Sequence, residues 1–134
     1  MQLNPYLHFT GNAEEALQHY RSALGGEVTI MRFEGTPAAE HVPPDCVKKV
    51  MHGQLDSPLG VVMASDAMER PTRAGENFSI SLQVESEAQA EALFSKLSEG
   101  GTVTMPLDKT FWAAKFGVLV DKFGVSWMVN CAGS

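Results

Sequence analysis

The chain repeats itself, and that repeat limits the folds open to it more than any other feature. Leu7-His8-Phe9-Thr10 reads as a short strand. Gly11-Asn12-Ala13-Glu14-Glu15 follows, with Asn12 placed to cap a helix whose apolar positions Ala16, Leu17, Tyr20, Ala23 and Leu24 recur at helical spacing. Gly25-Gly26 ends the helix, and Glu27-Val28-Thr29-Ile30-Met31 resumes as strand. The second half follows the same order. Phe78 to Val84 alternates with period two, Ser86 is a cap, Ala90, Leu93, Phe94 and Leu97 form a helical stripe, and Gly100-Gly101 precedes the strand Thr102-Val103-Thr104-Met105. Gly26 and Gly101 lie 75 positions apart, with Val28-Thr29 and Val103-Thr104 in the same register.

Each half supplies two more strands, Val47 to Leu55 and Leu59 to Ser65 in the first, Lys115 to Asp121 and Val125 to Cys131 in the second. The turn-forming runs Asp56-Ser57-Pro58 and Lys122-Phe123-Gly124 join them. The order is βαβββ twice, an α+β chain. A four-stranded sheet with one helix leaves its second face bare, so two such modules are expected to curve around a shared, partly apolar cavity. One domain is expected over residues 1–134, with module one at about 1–66, a linker at about 67–75 and module two at about 76–134. Glu34 to Asp45 and Ala67 to Glu76, rich in Pro, Gly, Ala and charge, read as loops over the cavity mouth.

Composition narrows the partners. A chain of 134 residues with 44% hydrophobic and 19% charged residues has the balance of a folded globule. Ten Lys and Arg against sixteen Asp and Glu give a net charge of −6, and Lys48-Lys49 is the nearest thing to a basic cluster. Nucleic acid and anionic membrane both require a basic footprint, so neither is expected as a partner. Met1 to Tyr6 has no basic segment leading into an apolar one, and no apolar run reaches the length of a membrane span, so a cytoplasmic location is expected. Cys46 and Cys131 stand far apart without metal-finger spacing and read as reduced structural thiols. Long sheet edges invite pairing, so a homodimer is expected.

A tandem βαβββ chain of this length resembles the vicinal oxygen chelate superfamily of glyoxalases, bleomycin-resistance proteins and extradiol dioxygenases. Pro5-Tyr6-Leu7, Gly11-Asn12-Ala13-Glu14-Glu15-Ala16, Leu24-Gly25-Gly26-Glu27, Val50-Met51-His52, Met63-Ala64-Ser65-Asp66, Met105-Pro106-Leu107, Phe111-Trp112 and Asp121-Lys122-Phe123-Gly124-Val125-Ser126-Trp127 resemble its PhnB-like branch over nearly the whole chain. The resemblance implies the glyoxalase/bleomycin resistance/dihydroxybiphenyl dioxygenase fold. In metal-using members each module gives two ligands to the cavity. Carried onto this sequence, those places fall near Pro5, near Met63, at Phe78 or Ser79, and at Met128. None is a hard-metal ligand, so no metal and no cofactor is expected.

Related sequences also carry a demethylubiquinone methyltransferase label. A methyltransferase of the usual fold needs a glycine-rich turn between a strand and a helix, whereas both glycine pairs here follow helices and precede strands.

The candidate site residues follow from chemistry and resemblance together. His52 sits beside Gly53, which permits close approach of another backbone or a ligand. Paired with Asp66 it reads either as a general base whose tautomer the carboxylate fixes, or as one end of a buried structural hydrogen bond. His8 points to solvent or to the cavity. Tyr6, Phe111, Trp112 and Lys115 are candidate substrate-binding residues, Trp112 as a cavity wall or a core plug and Lys115 as a cation for a bound anion. Trp127 is expected in the core, with a partner for its indole N–H. The expected function is small-molecule binding without the inherited metal. The alternative is a metal-dependent lyase, transferase or dioxygenase-like enzyme with ligands relocated to His8, His52, Asp66 or Glu76.

Overall fold

A computed structural model of the chain describes residues 1–66 and 75–132. Nearly all of the expected linker and of the Ala67 to Glu76 loop lies outside the described residues. The chain divides into two compact units, Met1–Arg73 and Ala74–Ser134.

The first unit contains β1 (Tyr6–Phe9), α1 (Ala13–Leu24), β2 (Glu27–Arg32), β3 (Val50–Ser57) and β4 (Gly60–Asp66). Its sheet runs in the order β1-β4-β3-β2, with β1 parallel to β4 and the other pairs antiparallel. The second repeats the plan with β5 (Ile80–Val84), α2 (Glu87–Ser98), β6 (Thr102–Asp108), β7 (Ala113–Val120) and β8 (Ser126–Ala132), in the order β5-β8-β7-β6 and with the same parallel and antiparallel pairing. The expected βαβββ order is present twice.

Both helices form for reasons visible in the chain, with one difference. Ala13, Ala16, Leu17, Tyr20 and Leu24 give α1 a buried stripe, while Glu14 and Glu15 in its first turn and Arg21 in its last complement its dipole. Asn12 occupies the cap position, but its side chain makes no capping bond. The carboxylate of Asp66, arriving from the end of β4, takes that place and accepts from the Ala13 N–H at 2.9 Å. In α2 the expected cap is present: Ser86 Oγ accepts from the Gln89 N–H at 3.1 Å.

The glycine pairs act by close approach. A Cβ at Gly26 would run into the backbone of Asp56 and Ser57, and one at Gly101 into that of Val120 and Asp121. The start of β2 and of β6 must therefore pass close to a neighbouring strand, which only glycine allows. Gly25, at φ +79, closes α1 with its N–H on the Arg21 carbonyl.

Strand boundaries shift where the chain has other hydrogen-bond partners. A 3-10 turn at Pro44–Cys46 and the Lys49 N–H to Cys46 carbonyl bond delay β3 to Val50. A second 3-10 turn, Pro37–His41, lies in the segment read as loop. Conversely β6 runs past Pro106 to Asp108, tolerated because it is an edge strand whose register on β7 is broken. Among the described residues no helix is long and apolar enough to cross a membrane.

Burial alternates along the strands. Leu7, Phe9, Leu55, Val62 and Ala64 face α1, and Leu82, Val84, Leu119, Trp127 and Val129 face α2. The residues between them form the opposite, helix-free face of each sheet.

Candidate functional site

In β1, Leu7 and Phe9 are buried while Tyr6 and His8 are exposed, so the latter pair stands on the helix-free face. Parallel pairing sets Tyr6 beside Met63 and His8 beside Ser65. On β3, Gly53 and Leu55 turn toward the helix, leaving His52 and Gln54 on the same side as Tyr6. Cross-strand pairing with β2 adds Met31 opposite His52 and Thr29 opposite Gln54.

These positions converge at Tyr6. Its hydroxyl lies 3.2 Å from His52 Nδ1. Its ring centroid is 5.2 Å from that of His8 and 5.6 Å from that of His52. His8 Nδ1 lies 3.5 Å from Ser65 Oγ. The result is a patch with two imidazoles, a phenol, a hydroxyl and, from Met31 and Met63, two adaptable thioethers. The Tyr6–His52 contact presents one donor and one acceptor whichever tautomer His52 adopts.

Asp66 does not join it. It is buried, with Oδ1 on the Ala13 N–H and Oδ2 on the Val50 N–H, both at 2.9 Å. The carboxylate pins the start of α1 to the start of β3, on the helix side of the sheet. The partner of His52 is Tyr6, and the expected His52–Asp66 hydrogen bond is absent. Gly53 likewise serves the helix: a Cβ there would lie 2.6 Å from Leu17 Cδ1 and 3.2 Å from Ile30 Cδ1.

In the second unit, Ser81, Gln83, Phe116, Val118, Met128 and Asn130 alternate onto the helix-free face. Asn130 Nδ2 donates to Gln83 Oε1 at 2.7 Å. Trp112 meets the edge of Phe116 at 5.4 Å between centroids and Phe111 at 4.7 Å. Trp112 is 52% exposed and Phe111 98%, so neither is a core plug. Lys115 stands apart from the phenylalanine next to it. It alternates to the α2 side and lies 3.6 Å from Glu91 of that helix, so it is not on the helix-free face. The Asp121-to-Trp127 segment is structural: Asp121 accepts from the Phe123 and Val125 N–H groups and, at 2.8 Å, from the indole of the fully buried Trp127.

The places inherited by resemblance to metal-using relatives do not suit a hard metal. The Pro5 carbonyl accepts from the Met63 N–H, Ser79 Oγ lies 2.7 Å from Ser126 Oγ, and Met63 and Met128 offer thioethers. Among the described residues no group of three or more His, Cys, Asp or Glu is placed to hold a metal ion.

Two four-stranded mixed sheets, each with one helix, define the glyoxalase/bleomycin resistance/dioxygenase class of α+β fold. A glyoxylase/bleomycin resistance protein/dioxygenase domain from Frankia shares it, with TM-score 0.69, 14% identity and coverage of 99% of this chain and 98% of that one. Protein PA1353 from Pseudomonas aeruginosa is nearer, with TM-score 0.89, 45% identity, and coverage of 100% of this chain and 99% of that one. Protein YjdN of Escherichia coli is 32% identical over 141 residues, 97% of this chain and 95% of that protein. The family model described as 3-demethylubiquinone-9 3-methyltransferase matches residues 1–130, so the chain belongs to this PhnB-like family.

Proposed function

We propose that the chain binds a small organic molecule on the helix-free face of its first sheet, with the Tyr6–His52 pair as polar anchor. The observation that carries this reading is the 3.2 Å approach of the Tyr6 hydroxyl to His52 Nδ1, on a face bordered by His8, Ser65, Met31 and Met63. Apolar, adaptable walls with a few convergent polar groups suit a small ligand. Acid/base chemistry at this face would use His52 as the proton carrier, with Tyr6 in place of Asp66 as the group that orients it. The relocated-metal alternative loses Asp66, whose two oxygens accept from backbone N–H groups on the other side of the sheet.

The methyltransferase description of the family model gains no support from the strand-to-helix connections. The chain passes from β1 to α1 with the single glycine Gly11 and from β5 to α2 through Glu85-Ser86. Homodimerisation and a cytoplasmic location complete the proposal, the latter supported by two cysteines that are free and buried thiols.

The test is ligand-observed NMR of the untagged protein against a panel of metabolites, repeated with His52→Ala and Tyr6→Phe. A compound that binds the parent chain and loses most of its signal with both variants supports the reading. Binding that survives both substitutions contradicts it.

A further inference from the structure

The second unit holds a pocket that the reading above does not use. It is a solvent-open depression of about 430 Å³ beside the start of α2, lined by Glu87, Lys109, Thr110, Phe111, Trp112 and the first residues of β7. That volume is within the range of small-molecule sites. Its aromatic wall is held in place by a fixed turn. Thr110 Oγ1 accepts from the Ala113 N–H at 3.1 Å and the Trp112 N–H at 3.4 Å, Thr110 N–H donates to the Ala113 carbonyl, and Asp108 Oδ1 accepts from the Lys109 N–H. Trp112 is braced by ring-edge contacts with Phe111 and Phe116, yet about half of it remains exposed.

The polar rim carries one charge of each sign, Glu87 and Lys109. Neither side chain forms an ion pair among the described residues, with the other or with any third group. Their nearest charged atoms are therefore more than 4.0 Å apart. A ligand bearing both charges offers each rim side chain a counter-charge, whereas one bearing a single charge leaves the other side chain unused. The aromatic wall adds the demand for a flat ring.

We propose that this pocket binds a small molecule joining one aromatic ring to both an amine and a carboxylate, the chemistry of an aromatic amino acid. The ring lies on Trp112, the carboxylate meets Lys109 and the ammonium meets Glu87. The pocket shares no residue with the Tyr6–His52 site, so either proposal can fail alone.

The experiment follows tryptophan emission of the full chain during titration with L-phenylalanine, phenethylamine and hydrocinnamate. Trp127 is fully buried, so the change is read at Trp112. L-Phenylalanine is expected to bind about tenfold more tightly than either singly charged analogue, the worth of one charge-assisted hydrogen bond. Lys109→Met should lower its affinity to that of phenethylamine while leaving phenethylamine itself unchanged, and Glu87→Gln should lower it to that of hydrocinnamate. Equal affinity for all three compounds, no change in emission, or a change that depends on protein concentration alone, as self-association would give, overturns the proposal.

Discussion

Asp66 and His52 stand near each other in sequence and chemistry, yet face opposite sides of one sheet. Removing the Asp66 carboxylate leaves two backbone N–H groups, of Ala13 and Val50, without their acceptors. Asp66→Ala should therefore cost about 2–4 kcal/mol of stability, read as a lowered denaturant midpoint at unchanged slope. His52 is only half-buried and its ring bonds a surface tyrosine, so His52→Ala should cost less than about 1 kcal/mol. A reversed order would make His52 the structural residue. Tyr6, His52 and Trp112 are legible in the sequence as candidates because polar and aromatic side chains at strand or loop positions stand out. The role of Asp66 is not, since its partners are backbone amides brought near by α1 and β3. The side to which Lys115 turns is hidden for a related reason: only the register that sets it opposite Cys131 shows that it alternates toward Glu91.

At the scale of elements, Gly53 in β3 and Gly117 in β7 both lie beneath a helix. A Cβ at Gly53 would meet the end of the flexible Leu17 side chain, whereas one at Gly117 would lie 2.7 Å from Phe94 Cε2 and 2.9 Å from the Leu107 Cα. Backbone yields less readily than a leucine methyl. Gly117→Ala should thus destabilise by about 1–3 kcal/mol, and more than Gly53→Ala, as paired thermal melts would show. Equal losses would mean that β6 does not hold Leu107 against that position. The repeat itself was legible from glycine pairs, caps and apolar stripes, because both modules need the same turns and the same helix faces. The strand ends were not, because 3-10 turns and the edge position of β6 redirect backbone hydrogen bonds in ways that side-chain periodicity does not record.

For the whole molecule, static light scattering should give twice the 14.5 kDa of one chain at micromolar concentration; the mass of a single chain would contradict the dimer. Calorimetry with S-adenosylmethionine should show no binding heat, since neither strand-to-helix connection has the glycine-rich turn that cofactor requires. A clear isotherm would return the family's methyltransferase description to this chain. In the function proposed above, the helix-free face around Tyr6 and His52 takes the ligand and the Asp66 side of the sheet is scaffold. The most direct measurement is a map of amide and methionine-methyl shifts as the strongest metabolite binder is added to the labelled chain. Shifts are expected at Tyr6, His8, Met31, His52, Met63 and Ser65, with the core around Leu17, Tyr20 and Leu55 unmoved. Shifts confined to the core or to other surfaces, with the Tyr6–His52 face silent, would contradict it.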